Sequence, residues 1–275
     1  MTTAAQEPAR RAVPPKPPRI RLRIVGWIVA ALVLAAHVAA WNATEISVPA
    51  LVEGATGMGE FLSEAVPPEL GADVLGESAS AAVVTLWIGL LGTTLSIPGS
   101  LVLALLATRG TAPAWIYQAS RGLLSFLRAV PDVVFALIFV TAVGLGPFPG
   151  VLALVFHNVG VMGKLWAETL EDADPGPAQA LRSAGAGRVQ VALHALLPVV
   201  TPQMVGLLLY RFDVNVRSSL VLGLVGAGGI GFLINQAIQL FQFDEMLTHI
   251  LVVLVLIVVV DQLSALIRRL LGSTS

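Results

Sequence analysis

Six apolar runs of membrane-spanning length punctuate the chain: Ile24–Trp41, Ala79–Ala107, Ala119–Leu145, Gly150–Ala167, Leu196–Leu222 and Leu247–Ile267. A helix needs roughly 20 mostly apolar residues to cross the hydrocarbon layer. The second, third and fifth runs are long enough to tilt or to emerge as helix on one side. The pattern predicts an all-α, polytopic membrane protein with six transmembrane helices. Residues 1–23 are basic and Pro-rich and read as a disordered tail. Residues 24–41 read as an uncleaved anchor, because the leader is too long for a signal peptide and five more spans follow. Residues 42–78 form an acidic loop, and residues 79–270 form a core interrupted by a polar loop at 168–197.

Composition agrees with this reading. The 275 residues are 56% hydrophobic and only 12% charged, against roughly 25% charged in soluble domains. There is no cysteine, which excludes disulfide frameworks and cysteine-based metal or catalytic sites. The near-zero net charge hides an asymmetry. Fourteen of the sixteen Lys and Arg residues fall on one side of the six-span arrangement, in the tail, around Arg109, Arg121 and Arg128, around Lys164, Arg182 and Arg188, and at Arg268 and Arg269. The loops on the other side hold none, and residues 42–78 carry seven acids from Glu45 to Glu77. Positively charged loops stay in the cytoplasm, so both termini and the 168–197 loop are expected there, with the chain multi-pass in a bacterial cytoplasmic membrane.

The two remaining arginines lie inside the fifth span, in Tyr210-Arg-Phe-Asp-Val-Asn-Val-Arg-Ser-Ser219. Charges within a membrane cost at least about 2.5–3.5 kcal/mol each on insertion scales and usually serve a function. Asp213 and Arg217 are spaced to pair on one helix face, while Arg211, Asn215 and Ser218 share another. Either all these groups satisfy one another, or an unpaired Arg211 or Arg217 offers bidentate hydrogen bonds to a phosphorus oxyanion. His157, mid-span in the fourth run beside Asn158, is an interhelical hydrogen bonder or a second substrate-path residue. Arg128-Ala-Val-Pro131 predicts a snorkelling arginine and a helix kink.

Two glycine-bearing segments stand out. Gly226-Ala-Gly-Gly-Ile-Gly231 matches the spacing of a dinucleotide fingerprint, but it lies between two spans rather than in a strand–turn–helix unit. Gly226, Gly228, Gly229 and Gly231 are therefore expected at a helix break near a gate, where small residues let backbones approach. No Walker A pattern is present, since Lys164 is followed by Leu165. In the 168–197 loop, Pro175-Gly-Pro177 predicts the start of a short helix, Gly185-Ala-Gly187 a turn, and Val189, Leu193 and Leu196 a second helix.

That loop carries a resemblance. Gln179-Ala-Leu181, three residues, Gly185, nine residues, then Ala195-x-Leu197-Pro198 resembles the signature of ATP-driven importer permeases, EAA, three residues, Gly, nine residues, I-x-L-P. Gln replaces Glu, Leu the second Ala, and Ala replaces Ile. Gly144-Leu-Gly-Pro147, Gly163-Lys-Leu-Trp-Ala-Glu168, Asp174-Pro-Gly-Pro177 and the stretch from Tyr210 to Gly231 extend the likeness to the phosphonate and phosphate branch over roughly residues 80–270. The resemblance implies a type I ABC importer permease fold. It also implies a coupling surface at Gln179, Ala180, Leu181, Arg182, Gly185, Ala186 and Pro198 that transmits ATP-driven movement. The chain would be a translocation subunit and no enzyme, with no catalytic or metal-binding residues and no cofactor of its own, ATP and Mg belonging to a separate ATPase chain. Implied partners are a second copy of this chain, two cytoplasmic ABC ATPase subunits, an extracytoplasmic substrate-binding protein and the bilayer, with no nucleic acid.

Three alternatives remain open at this stage. A D-methionine- or betaine-type permease shares the Gly-rich stretch, but intramembrane arginines suit a multiply charged anion better than a zwitterion. A membrane sensor partnered with an ABC ATPase would move nothing. An intramembrane enzyme is disfavoured, because H-E-x-x-H and clustered carboxylates are both missing.

Overall fold

A computed structural model describes residues 19–44 and 47–272. Among them the chain is helical, with no strand. Two compact units divide between Glu60 and Phe61. The first holds α1 (Arg19–Ala43), which includes a 20-residue apolar segment, Ile24–Ala43. Most of the expected tail lies outside the described residues, and Arg19–Arg23 belong to α1 rather than to the tail. α2 (Val48–Ala65) begins in the first unit and ends in the second. It occupies the stretch expected as loop, because Val48, Leu51, Val52, Met58 and Leu62 recur among the acids.

The second unit continues with α3 (Ala72–Leu106), α4 (Ala114–Ala129), α5 (Asp132–Val143), α6 (Pro147–Glu171), α7 (Pro175–Ser183), α8 (Arg188–Val191), a π turn (Ala192–Leu196), α9 (Leu197–Leu224), α10 (Ile230–Gln239) and α11 (Phe243–Gly272). Among the described residues of both units, five helical segments, that of α1 included, are long and apolar enough to cross a membrane, and six if α4 and α5 count as one bent span. α3 and α6 pack along one another, α9 lies against both, α4 and α5 cover α6, and α10 and α11 cover α9. Besides a cluster of Ala82, Ile230, Ile234, Met246 and Val253, two apolar clusters sit at different levels of this core. One gathers Ala104, Leu124, Met162, Trp166, Leu170, Leu196 and Met204. The other gathers Ile88, Leu127, Phe135, Leu154 and Leu222.

The third span, expected as one helix, is broken, and α4 and α5 meet at 84°. Pro131 removes a backbone donor and clashes with the carbonyl four residues back. It also drives Val130 out of the helical region, to φ −83 and ψ 120. The break leaves the Val130 carbonyl without an intrahelical partner, and His157 on α6 supplies one, its Nδ1 3.0 Å away. A carbonyl only accepts, so the Nδ1 proton is fixed by this contact.

Missing side chains set the spacing of α6. A Cβ at Gly92 would lie 2.5 Å from Leu154 Cβ, and one at Gly160 would lie 2.6 Å from the backbone nitrogen of Arg128. Gly160 thus lets α6 touch the backbone of the elbow itself, and no side-chain rotation relieves an added methyl there. Gly160→Ala is expected to destabilise the chain by about 1–3 kcal/mol, the usual cost of overpacking. A lowered thermal midpoint of the purified protein in detergent checks this, and an unchanged midpoint refutes the packing assignment.

Candidate functional site

The centre of the core is polar. On α6, Asn158 lies between Leu154 and Met162. On α9, Arg211 and Asn215 lie between Met204 and Leu222. On α3, Thr93 and Ser96 lie between Ile88 and Ala104. The polar residues therefore form one layer between the two apolar clusters. Asn158 and Asn215 are fully buried, and Arg211 is only 9% exposed.

Their hydrogen bonds run in a chain across three helices. Arg211 Nε donates to Asn158 Oδ1 at 2.8 Å, and Arg211 Nη2 donates to Asn215 Oδ1 at 3.1 Å. Asn158 Nδ2 donates to Ser96 Oγ and Asn215 Nδ2 to Thr93 Oγ1, both at 2.8 Å. The two hydroxyls close the chain on α3, donating to Thr93 O and Gly89 O. Both amides are thus fixed in orientation, with the oxygens toward Arg211 and the nitrogens toward α3. Arg211 has five N–H donors. Two are engaged, and among the described residues it has no carboxylate partner.

Arg217 is different. Its Nη2 lies 3.0 Å from Asp213 Oδ2 and 3.2 Å from Asp213 Oδ1, and it also donates to Asp261 on α11. It is not the unpaired arginine that the sequence allowed, because two carboxylates share its charge. Ser218 is half-buried on α9 and joins neither group; fully buried Ser219 donates instead to Thr85 O on α3. His157 meets the Val130 carbonyl two residues before Asp132, the first residue of α5. Sequence reasoning passed over Thr93, Ser96, Asp132 and Asp261. Asp132 and Asp261 carried a signal, being charges within apolar runs, whereas the two hydroxyls carried none.

At the other end, the 168–197 loop folds as two short helices around a turn. The Asp174 side chain caps α7 by accepting from Gly176 N at 3.0 Å. The helix ends with Ala186 N donating to Leu181 O and Gly185 N to Arg182 O, each at 3.0 Å. This pair of bonds is the Schellman arrangement, which places Gly185 in the left-handed region at φ +87. Ala178 is buried, and it packs with Leu181 and Ala186 against the apolar cluster of Trp166 and Leu196. Gln179, Ala180, Arg182 and Gly185 face outward. Pro198 stands just after the π turn, where Leu197 N reaches Ala192 O. The wider turn accommodates a proline that has no donor for His194 and whose ring would crowd that carbonyl. Residues Arg188–Leu224 then run on as a single 37-residue span.

The glycine stretch uses the same device. α9 ends with Ala227 N donating to Leu222 O and Gly226 N to Gly223 O, with Gly226 at φ +95. Gly228 and Gly229 continue the turn beside Pro147 and Thr85, and Gly231 packs on the Leu220 carbonyl, where a Cβ would be 2.0 Å away. The helix break is therefore a tight hairpin from α9 into α10, joined to α3 by Ile230 N donating to Thr85 Oγ1 at 2.9 Å.

Residues 96–272 match the family described as a binding-protein-dependent transport system inner membrane component. The phosphate-import permease protein PhnE of Mycolicibacterium smegmatis is 41% identical over 235 residues, covering 85% of this chain but only 44% of that protein. The phosphite transport system permease protein PtxC of Stutzerimonas stutzeri is 39% identical over 232 residues, covering 84% of each chain. Among solved structures, the inward-facing MetNI methionine ABC transporter shares the fold, with a TM-score of 0.60 at 19% identity over 73% of this chain and 97% of that one. The matched region takes in the end of α3, from Ser96, and every element from α4 through the turn at Gly185 to α11, and the chain belongs to the family of binding-protein-dependent transport system inner membrane components.

Proposed function

We propose that this chain is the translocating subunit for a phosphorus oxyanion (phosphonate, phosphite or phosphate), and that Arg211 is the cation on its path. The observation that carries this reading is a buried mid-span arginine held by two amides, with donors to spare and, among the described residues, no carboxylate in ion-pair contact with it. A guanidinium left in this way in a low-dielectric core suits an anion with several oxygens. Both relatives named above are permeases for such anions. The methionine transporter supports the fold alone.

The exposed face of α7 and the turn at Gly185 are the proposed docking surface for ATPase subunits carried on separate chains, and this chain performs no chemistry itself. The family description supports a substrate-binding protein as a further partner. Arg217 and Asp261 are each 45% exposed, at a depth where charges facing lipid are costly. A second copy of this chain, enclosing a water-lined path between the two, would cover them.

In a strain carrying the ATPase and binding protein, labelled phosphite or phosphate uptake should fall to background when this chain is deleted. Gly185→Val should do the same while ATP hydrolysis by the purified complex persists, since a β-branched residue is strained at positive φ. Uptake unchanged by the deletion refutes the transport reading. Orientation has its own test in a chain without cysteine. A cysteine at Ser63 should react with an impermeant thiol reagent from outside, and one at Ser183 should not; the reverse overturns the placement of both termini in the cytoplasm. The two arginines should also separate. Arg217→Gln leaves Asp213 and Asp261 without it and should lower assembly. Adding Asp213→Asn and Asp261→Asn should restore assembly and most uptake. Arg211→Gln should assemble yet lose uptake at least about tenfold, and wild-type uptake in that variant removes Arg211 from the path.

A further inference from the structure

α10 ends in the same pair of backbone bonds as α7 and α9. Gln242 N donates to Ala237 O at 2.9 Å, and Phe241 N donates to Ile238 O at 3.3 Å. At α7 and α9 the residue that turns left-handed is Gly185 or Gly226, whereas here it is Phe241, at φ +57. Phe241 is the only residue other than glycine with a positive φ among the described residues, and a bulky side chain is strained there. Burial does not offset the strain, because the ring is 78% exposed and Leu240 beside it is 58% exposed. The ring is nevertheless held in place. It meets Phe243 edge-on at 6.0 Å, and Phe243 packs on Phe61 of α2 at 4.9 Å. Glycine would fit this turn with less strain, so the phenyl ring is explained by what it reaches outside the chain.

Charge narrows the choice of partner. Residues 61–78 and 223–246 meet at this end of the fold: Glu69 N donates to Asp244 O at 3.3 Å, and Glu77 and Glu245 border one small cavity. The two stretches carry Glu64, Glu69, Asp73, Glu77, Asp244 and Glu245, and no lysine or arginine. A membrane surface is a poor fit, because anionic headgroups attract bases and repel carboxylates. A second copy of this chain presents the same acids and is repelled likewise. A soluble protein with a basic face fits both the charge and the ring, since an aromatic anchor inside a polar rim is the usual anatomy of a docking surface. We infer that the Leu240-Phe241 turn anchors the extracytoplasmic substrate-binding protein, with the phenyl ring entering an apolar recess rimmed by lysine or arginine. The inference rests on the permease reading above, with the Gly185 turn in the cytoplasm and the far end of α9 outside, and adds the residue that holds the partner. The acids steer the basic rim to this end, and the ring sets how long the complex lasts.

The test uses the full chain assembled with its ATPase in lipid nanodiscs, and the purified binding protein of the uptake strain loaded with phosphite or phosphate. Association and dissociation rates are measured separately. Phe241→Gly relieves the strained backbone, so the thermal midpoint of the complex should not fall, yet the binding protein should dissociate at least about tenfold faster. Phe241→Trp keeps an aromatic ring and should stay within about threefold of the wild type. Added salt should slow wild-type association and leave dissociation nearly unchanged. An unchanged dissociation rate in assembled Phe241→Gly overturns the inference, as does association that ignores salt. If Phe241→Gly does not assemble, a nitroxide on Gln239→Cys, at an exposed position beside the turn, decides. It should be reached by a water-soluble relaxing agent in the free complex and shielded when binding protein is added. Access only to oxygen dissolved in the lipid, or shielding that persists without binding protein, assigns the turn to the membrane or to a second copy and overturns the inference. Normal binding by Phe241→Gly refutes only the anchor, whereas a wild-type complex that takes up no binding protein removes the partner reading beneath it.

Discussion

In hydrocarbon, a polar group that is not satisfied by the protein is not satisfied at all. The hydrogen-bonded layer around Arg211 is where this constraint shapes the chain most. One guanidinium, two amides and two hydroxyls from α3, α6 and α9 complete one another. Each amide has one orientation that serves both neighbours, so the register of three helices is set jointly. Sliding α9 by one residue would turn Arg211 and Asn215 by about 100° and break both bonds that join α9 to its neighbours, Arg211 to Asn158 and Asn215 to Thr93. Apolar packing above and below tolerates small shifts far better. The layer therefore determines how the clusters around Met162 and Leu154 are stacked, and not the reverse.

The same requirement explains how the helices end. A helix that stops inside the membrane exposes carbonyls, and this chain answers with specific partners. At the elbow the Val130 carbonyl is met by His157. At the end of α9 the carbonyls of Leu222 and Gly223 are met by the backbone of the following turn. At α7, outside the apolar runs, the identical backbone motif serves a different purpose. It folds the chain back so that Gln179 and Arg182 face outward while Ala178 stays in the core. Glu171 steadies the base of that loop, accepting from Arg121 Nη2 at 2.7 Å and from Arg109 N at 2.9 Å. These contacts tie the ends of α3, α4 and α6 together beside α7.

The spans were legible because length and hydropathy alone report them. The turn at Gly185 was legible because glycine spacing and the Pro-Gly-Pro start are local signals. The elbow was only half legible. Pro131 announces a kink, but an 84° break needs a partner for the freed carbonyl and room for close approach, and His157 and Gly160 lie 27 and 30 residues further along. α10 was missed because Ile230–Gln239 is too short to read as a span and too apolar to read as a loop. The intramembrane charges were visible one by one, but not their partners. Arg217 looked available because only Asp213 is near it in sequence, while Asp261 approaches from 44 residues away. Arg211 looked similar to Arg217 and is its opposite, since its partners are neutral amides.

Continuity of α8, the π turn and α9 gives the proposed coupling a physical route. Residues Arg188–Leu224 form one span, so the turn at Gly185 and the guanidinium of Arg211 sit near one end and the middle of the same rod. About 23 residues at 1.5 Å each separate Arg188 from Arg211, roughly 35 Å. A rod that long transmits a tilt imposed at its base as a displacement at Arg211, provided that no soft joint lies between them. The hydrogen-bond pattern changes at the π turn, which is braced on both sides by buried Val191, Ala195, Leu196 and Val200, and again at Pro202, which has no donor for the Pro198 carbonyl. Under the proposed coupling, movement at the base would reach the polar layer, where Arg211 is bonded to both α6 and its own helix. A layer whose bonds are all specific cannot yield gradually, so it holds one register or exchanges it for another. That all-or-none behaviour is what a switch driven by the proposed coupling would require.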